Sequence, residues 1–180
     1  MRVIAGRYKG RRLKAPTWEG LRPTSDKLRE TLFNILAPRI EGARVLDGYA
    51  GTGAVGIEAM SRGAAHVTFV ERDRRASALI VENVRVCDTD AVYTIEAGDV
   101  AALLRTRPAA FDVIWLDPPY DGAGVIDALD AAAGALAAGG VVVLERATRR
   151  EPVVPESLAR IRDVKSGGST LTFFTRAADS

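Results

Sequence analysis

The sequence predicts an α/β fold built on a mostly parallel, seven-stranded sheet with helices on both faces. From residue 43 onward, short β-prone runs alternate with helical runs, which is typical of a parallel sheet. The runs VIWL (113–116) and VVVL (141–144) are apolar throughout, as expected for strands buried on both faces. Two β-prone segments around Gly167-Gly168 predict an antiparallel hairpin that closes the C-terminal edge.

The first 36 residues are predicted to add a small basic extension and one helix to this sheet. Residues 1–15 are interpreted as a basic β-hairpin, and residues 15–23 as a loop. Thr24 or Ser25 can cap a helix over 24–36 that has one apolar face, and Pro38 is expected to end it.

The remaining elements follow from the alternation of patterns. Strands are predicted at 43–47, 66–71, 91–97, 111–117 and 139–146, followed by the hairpin strands 159–166 and 169–176. Helices are predicted at 54–63, 74–86, 100–106 and 124–136.

Length and composition exclude several classes of protein. The 180 residues fit a single domain, with 1–23 as a basic extension and 24–180 as a helix plus catalytic core. No apolar run approaches the length of a membrane span, and no signal-peptide core is visible, so we expect a cytoplasmic monomer without membrane contact. With one cysteine (Cys87) and one histidine (His66), a zinc site of the usual Cys/His types cannot form, and no metal is expected.

Basic charge is concentrated at the N-terminus. The first 15 residues contain no acid and six bases: Arg2, Arg7, Lys9, Arg11, Arg12 and Lys14. The rest of the chain has 19 basic and 23 acidic residues. Such clustering indicates a surface that meets a polyanion, although a solvated, partly disordered tail is the alternative. Apolar residues interleaved with the charges, such as Tyr8 and Leu13, favour an ordered hairpin.

A glycine-rich loop follows the first predicted strand of the sheet. It reads G-x-G-x-x-G from Gly51 to Gly56, and Glu71 lies twenty residues after Gly51. Taken alone, the pattern fits NAD as well as S-adenosylmethionine (SAM), since in both cases the acid can bind ribose hydroxyls. Asp47 ahead of the loop would repel a pyrophosphate and suits a cationic ligand, which favours SAM. The order D-x-x-x-G-x-G resembles the first motif of class I SAM-dependent methyltransferases. Gly56 is interpreted as a small residue where the helix packs on the sheet.

A second acid, Asp99, follows the third predicted strand of the alternating region. By resemblance to class I methyltransferases it would bind the adenine amine, and it can equally cap the helix that starts at Val100. The candidate cofactor-binding residues are Asp47, Tyr49, Gly51, Gly53, Glu71, Arg72, Asp99 and Val100.

The motif LDPPY (116–120) closes the fourth predicted strand, at the sheet edge where ligands bind in such folds. Neither proline has an N–H, so the turn presents only carbonyls and the Asp117 carboxylate. An amino group is the natural guest of such a surface. Asp117 and the Pro118 carbonyl would hold the amine of an unstacked base, Asp117 is the candidate proton acceptor, and Tyr120 would stack on the ring. The predicted catalytic residues are Asp117, Pro118, Pro119 and Tyr120.

Over nearly its whole length the chain resembles the RsmD family of small-subunit ribosomal RNA guanine-N2 methyltransferases. The matching blocks are MRVIAGRYKGRRLKAP, RPTSDKLRETLFNIL, DGYAGTGAVGIEAMSRGA, VERD and DPPY. The resemblance implies a class I methyltransferase fold, SAM as cofactor, and methylation of a guanine exocyclic amine in 16S rRNA, within an assembled or assembling small subunit. Two positions depart from the family pattern: Gly48 replaces an apolar residue, and Ser166 stands where tyrosine is usual.

The basic residues are assigned to the RNA. The predicted nucleic-acid contacts are Arg2, Arg7, Lys9, Arg11, Arg12, Lys14, Arg22 and Lys27. We hypothesise that Arg22, Thr24, Lys27 and Arg29 line the RNA entrance, with a capped surface helix as the alternative. Other activities stay open from the residues alone: DNA adenine-N6 methylation, NAD-dependent oxidation, or RNA binding without catalysis.

Overall fold

The structure, a computed structural model, describes residues 1–21, 24–87, 90–119 and 124–179. The helices are α1 (Asp26–Ile40), α2 (Ala54–Ser61), α3 (Arg74–Val86), α4 (Val100–Arg105) and α5 (Val125–Ala135), and a 3₁₀ turn covers Ala177–Asp179. The strands are β1 (Arg44–Gly48), β2 (His66–Glu71), β3 (Tyr93–Ala97), β4 (Phe111–Leu116), β5 (Leu136–Ala147), β6 (Leu158–Ser166) and β7 (Ser169–Arg176).

The seven strands form one sheet in the order β3-β2-β1-β4-β5-β7-β6. The first five strands run parallel, whereas β7 pairs antiparallel with both β5 and β6. The predicted α/β sheet with an antiparallel C-terminal hairpin is therefore confirmed. The strand order reverses between β1 and β4, and ligands bind beyond the carboxyl ends of the strands at such a point.

Each face of the sheet carries its own apolar core. Side chains alternate along a strand, so Trp115 packs with α1, α2 and α3, whereas its neighbours Ile114 and Leu116 pack with α4 and α5. Gly56 of α2 lies so close to the sheet that an added Cβ would be 2.2 Å from a ring carbon of Phe69. The predicted packing role of Gly56 is confirmed.

Helix α1 departs from the prediction at its C-terminal end. Ser25 caps it by accepting the Leu28 N–H at 3.2 Å, as expected, but the helix runs through Pro38 to Ile40. Ile40 is buried in the core, and its packing favours two further residues beyond the proline. Pro38 therefore lies inside the helix and does not end it.

The N-terminal segment, residues 1–14, is ordered and forms a short antiparallel hairpin. An antiparallel bridge joins Arg2 and Arg12, and backbone hydrogen bonds flank it, from Val3 N–H to the Arg11 carbonyl at 2.9 Å and from Leu13 N–H to the Met1 carbonyl at 3.1 Å. Tyr8 and Leu13 are buried in the core. The segment docks on α2, where the Glu58 carboxylate accepts the N–H groups of residues 4 and 5 at 2.8 and 3.0 Å. The predicted hairpin is therefore present in a short form, and tertiary hydrogen bonds to α2 hold it in place.

Gly6 marks the closest approach of the N-terminal segment to α2. A Cβ at Gly6 would lie 1.9 Å from the Ser61 carbonyl oxygen, and its φ of +79° is unfavourable for other residues. Gly10 has a similar φ of +84°, but nothing lies within 4 Å of its Cβ position. The two glycines therefore share a backbone conformation, but only Gly6 of the two is in close contact with α2.

We expect Gly6→Ala to detach the N-terminal segment, because the added methyl group collides with backbone atoms of α2. The free energy of unfolding of Gly6→Ala should be lower than that of the wild type by roughly 3 kcal/mol or more. For the matched control Gly10→Ala the loss should be about 1 kcal/mol. Denaturant unfolding gives the free energies, and limited trypsin digestion reports cleavage at the bases of residues 7–14. Equal losses in the two variants would contradict the docking described here.

Candidate functional site

A cavity of about 800 Å³ opens at the carboxyl ends of the parallel strands, beside the point where the strand order reverses. Ten of the predicted site residues line it: Asp47, Tyr49, Gly51, Glu71, Arg72, Asp99, Val100, Asp117, Pro118 and Pro119. Gly53 is not among the lining residues. Its Cβ position faces Ile80 at 3.1 Å, so Gly53 serves the turn into α2, where it has a φ of +76°. Tyr120 lies outside the described residues.

Two carboxylates occupy amide donors of the glycine loop. Asp47 Oδ2 accepts the Gly56 N–H at 2.7 Å, and Glu71 Oε2 accepts the Gly51 N–H at 2.9 Å. Gly56 is in the first turn of α2, where N–H groups have no partner within the helix. Asp47 therefore performs the capping that the N-cap residue Gly53 cannot perform, since glycine has no side chain.

Asp47 is almost completely buried, with 1% of its surface exposed. Burial raises the pKa of its carboxyl to about 8, the nearby Glu71 carboxylate adds to this, and the Gly56 N–H opposes it. A positive ligand group beside Asp47 would favour the ionised form.

Glu71 and Asp99 are both held by backbone amides. The second oxygen of Glu71 accepts the Asp73 N–H at 2.8 Å, so two amides fix this carboxylate at the cavity wall. Asp99 caps α4 by accepting the Ala102 N–H at 2.8 Å, which confirms the capping role, and it also lines the cavity. Tyr49 also lines the cavity and has a left-handed backbone conformation with a φ of +60°. Burial, followed by the Asp99 charge, raises the pKa of the Tyr49 hydroxyl.

Gly48, one of the two departures from the family pattern, leaves no void. A Cβ there would lie 2.9 Å from Leu116 Cδ2 and 3.1 Å from Leu46 Cδ2, because these side chains already fill the space. The other departure, Ser166, lines the cavity at the tip of the β6–β7 hairpin.

Asp117 follows β4 and lines the cavity. We refer to the part of the cavity lined by Asp117, Pro118 and Glu145 as its floor. Burial is the main cause that raises the pKa of the Asp117 carboxyl well above the ordinary value, and the charges of Glu145 and Asp47 add to it. The Thr24 hydroxyl, from the segment before α1, donates to Asp117 and opposes this shift. When it is ionised, an aspartate with a raised pKa is a stronger base than an exposed aspartate.

Sequence reasoning missed Glu145. It stands at the carboxyl end of β5, is 8% exposed, and lines the cavity with Asp117. Its Oε1 accepts the Ser169 hydroxyl at 3.0 Å. Burial raises the pKa of the Glu145 carboxyl as well. The sequence did contain a signal for Glu145, since this acid directly follows the apolar run VVVL just as Asp117 directly follows VIWL.

Arg29, expected at an RNA entrance, is fully buried, and that expectation is wrong. Its guanidinium donates to Asp26 Oδ1 at 2.6 Å and to the Arg2 carbonyl at 2.7 Å, and it lies 3.7 Å from Glu58. Arg29 therefore fastens the N-terminal segment to α1 and α2. Arg22, from the same predicted entrance, lies outside the described residues.

The N-terminal bases divide into two sets. Arg7 pairs with Asp90 at 2.8 Å and Lys14 with Glu82 at 2.7 Å, and Arg11 donates to the Val86 carbonyl at 2.7 Å. The other set has no ion pair among the described residues and comprises Arg2, Lys9, Arg12 and Lys27. Arg2, Lys9 and Lys27 line a shallow cavity of about 350 Å³ between the N-terminal segment and α1.

Two kinds of feature are absent from the described part of the chain. No group of three or more His, Cys, Asp or Glu side chains there is arranged to hold a metal ion. None of the helices within the described ranges has the length and apolar character that crossing a membrane requires.

The fold and the site together define the class of protein. The chain has the Rossmann-like fold of the SAM-dependent methyltransferases. The Escherichia coli protein YhhF has a solved structure that superposes with a TM-score of 0.86 at 32% identity, covering 99% of this chain and 98% of that one. The rRNA methyltransferase AviRa from Streptomyces viridochromogenes reaches a TM-score of 0.70 over 92% and 89% of the two chains. At 18% identity, that likeness concerns the fold alone.

The family follows from sequence. The profile described as conserved hypothetical protein 95 matches residues 1–175, and the chain belongs to this family, the RsmD family. Ribosomal RNA small subunit methyltransferase D of Escherichia coli K12 is 39% identical over 120 residues, which cover 67% of this chain and 60% of that protein. Its counterpart in Haemophilus influenzae is 41% identical over 123 residues, or 67% and 64%. The chain thus matches less than two thirds of the length of these two relatives.

We expect Asp47→Asn to stabilise the protein, and the gain to grow as the pH rises from about 4 to about 8. The folded protein holds a proton on Asp47 that the unfolded chain, with a carboxyl pKa of 3.8, releases. Wild-type stability therefore falls across this window and is level above it. Asparagine keeps an acceptor for Gly56 without the charge, so the gain at pH 8 should be on the order of 2–4 kcal/mol.

Denaturant unfolding at pH 5, 7 and 9 measures this gain. The matched control is Asp90→Asn, because Asp90 is exposed and forms a surface ion pair with Arg7. Its effect should stay within about 1 kcal/mol. A gain from Asp47→Asn that is the same at pH 5 and pH 9 would show that Asp47 is already ionised in the free protein.

Proposed function

We propose that this protein transfers a methyl group from SAM to the exocyclic N2 of a guanine in 16S rRNA, within a small ribosomal subunit or an assembly intermediate. One observation carries the proposal: Asp117-Pro118-Pro119 opens onto the same cavity as a glycine loop whose amides are held by carboxylates. The relatives named ribosomal RNA small subunit methyltransferase D support the choice of substrate. Residues 1–180 would form one catalytic unit, with 1–23 as its RNA-binding extension.

The residues of the cavity fit SAM better than a dinucleotide. A pyrophosphate needs free amides at the glycine loop and the helix N-terminus, but the Gly51 and Gly56 N–H groups are already bound to Glu71 and Asp47. The Glu71 carboxylate would also repel a phosphate, as would Asp47 when it is ionised. SAM carries an ammonium and a sulfonium and no phosphate, so an acidic wall suits it.

We assign the cofactor contacts by the chemistry of each side chain. Asp47 would face the cationic end of SAM, Glu71 would accept the ribose hydroxyls, and the free oxygen of Asp99 would accept the adenine amine. Tyr49, Arg72 and Val100 would complete the walls. When bound, SAM supplies an electrophilic methyl group, and its sulfonium loses the positive charge as that methyl leaves.

Asp117 and the Pro118 carbonyl would hold the two N–H groups of the guanine amine. The lone pair of this nitrogen is delocalised into the base, so the amine is a weak nucleophile. Two acceptors that hold the N–H groups draw the nitrogen toward tetrahedral geometry and free the lone pair to attack the methyl carbon. A proton must then leave the nitrogen, and Asp117, with its raised pKa, accepts it directly or through water. The base must be unstacked to reach this floor.

The phosphates of the RNA backbone would contact the basic side chains of the N-terminal segment. Arg2, Lys9, Arg12 and Lys27 offer charges without internal ion pairs among the described residues. Arg7, Arg11 and Lys14 can join them, because exposed ion pairs contribute no more than about 1 kcal/mol and exchange readily for phosphate. These contacts set affinity and register, and the cavity sets which base is modified.

Isothermal calorimetry should show saturable binding of SAM and no binding of NAD. Glu71→Ala should weaken SAM binding by about 10- to 100-fold, since it removes hydrogen bonds to a charged acceptor. The control Glu82→Ala removes an exposed glutamate on α3 that pairs with Lys14, and it should bind like wild type. Binding of NAD without SAM would refute the cofactor assignment.

Methyl transfer tests the reaction itself. Wild-type protein should transfer labelled methyl groups from SAM to small subunits that lack the modification. Asp117→Ala should lower kcat by about 100-fold or more while SAM binding persists. Asp117→Asn should lose less, since its amide oxygen still accepts one N–H.

Two comparisons decide how this result is interpreted. The control Asp130→Ala alters an exposed aspartate of α5 that bonds Ser157, and its kcat should be unchanged. Full turnover by Asp117→Ala would remove Asp117 from the mechanism. Transfer to duplex DNA but not to small subunits would favour adenine-N6 methylation.

A further inference from the structure

Glu145 and Asp117 occupy equivalent positions on adjacent parallel strands. The register pairs Leu116 of β4 with Leu144 of β5, so the next residue on each strand is an acid. Side chains alternate along both strands in the same phase, and therefore the two carboxyls lie on the same face, over Trp115 and Val143 of the core below α1. Neighbouring strands are about 4.8 Å apart, which brings the two carboxyls close together.

One oxygen of Glu145 is buried without a partner. Oε1 is held by the Ser169 hydroxyl of β7, whereas no hydrogen-bond donor within the described ranges reaches Oε2. The residue is 8% exposed and lines the cavity. A buried polar atom without a hydrogen bond costs about 1–3 kcal/mol, so an oxygen kept in this state at a cavity wall indicates a donor ligand.

The acceptors on this floor match the donors of one base edge. The guanine edge carries three adjacent N–H donors, namely N1–H and the two hydrogens of the N2 amine. The lining residues Asp117, Pro118 and Glu145 can supply three acceptors: the Asp117 carboxylate, the Pro118 carbonyl and the free Oε2 of Glu145. We propose that Glu145 is a specificity-determining residue whose Oε2 accepts the guanine N1–H while Asp117 and Pro118 hold the amine. This inference rests on the proposed methylation of guanine.

Discrimination follows from the direction of this hydrogen bond. In guanine N1 is a donor, whereas in adenine and in 2-aminopurine N1 carries a lone pair. A lone pair facing a buried carboxylate oxygen is repelled, and the carboxylate stays without a partner. 2-Aminopurine keeps the amine at position 2 and differs from guanine at N1 and by the missing oxygen at C6, so it separates recognition of N1 from the chemistry at N2.

The experiment compares methyl transfer to guanine and to 2-aminopurine at the target position. The position is first mapped with wild-type protein, and small subunits are then reconstituted with either base there. Wild type should prefer guanine in kcat/KM by on the order of 100-fold or more, because a site built to bind an N–H rejects an analogue without it. In Glu145→Gln the preference should fall below about tenfold, since an amide can also donate to the N1 lone pair.

Controls separate recognition from folding. Glu145→Ala is the second variant and should also lose the preference, and thermal unfolding checks that both variants fold. Glu156→Gln makes the same chemical change at an exposed position outside the cavity and should keep the wild-type ratio.

Two results would overturn the proposal, and they are distinguishable. If the rates for both bases fall in parallel and the ratio stays at the wild-type value, Glu145 only supports the fold of the site, and guanine methylation stands without it. If wild type transfers no methyl group to the guanine-containing particle, the proposed function fails, and the role of Glu145 fails with it.

Discussion

The site depends on two hydrogen bonds that tie the glycine loop to the sheet. Asp47 at the end of β1 accepts the Gly56 N–H, and Glu71 at the end of β2 accepts the Gly51 N–H. A helix that begins at a glycine loop normally offers free amides and a positive end to an anion. Here carboxylates from the sheet occupy those amides. The same bonds that fix the loop therefore convert an anion site into an acidic wall.

Buried acids in this protein are of two kinds. Glu58 is fully buried, but Arg29, Arg62 and two backbone amides surround it, so its charge is compensated. Asp117 and Glu145 have no such cation beside them within the described residues; burial raises the pKa of both carboxyls, and the Glu145 charge raises that of Asp117 further. Glu58, whose charge is compensated, therefore has a structural role. Asp117 and Glu145, whose charges are not compensated, are candidates for binding a ligand that carries hydrogen-bond donors or positive charge.

The sequence allowed the sheet and most of its acids to be predicted, because strand periodicity places residues after apolar runs at one edge. The same rule applies to Glu145, which follows VVVL, but an acid after a strand has no distinctive chemistry of its own, whereas the two prolines after Asp117 do. Arg29 could not be placed, since only its contacts with Arg2, Asp26 and Glu58 show why a charged helix residue is buried. The N-terminal hairpin was predicted, but its docking on α2 was not, because the Glu58 and Ser61 side chains that accept its backbone N–H groups lie more than 50 residues away in the chain.

Helix α2 connects the two halves of the proposed activity. Its N-terminal turn is held by Asp47 beside the cofactor cavity, and its later residues Glu58 and Ser61 hold the basic segment. All eight of its residues are buried, and Gly56 sets it directly against Phe69. Because close-packed interiors transmit displacement and do not absorb it, this short helix fixes the basic segment relative to the glycine loop. A phosphate backbone bound to that segment would thus be positioned relative to the cavity floor by one rigid element.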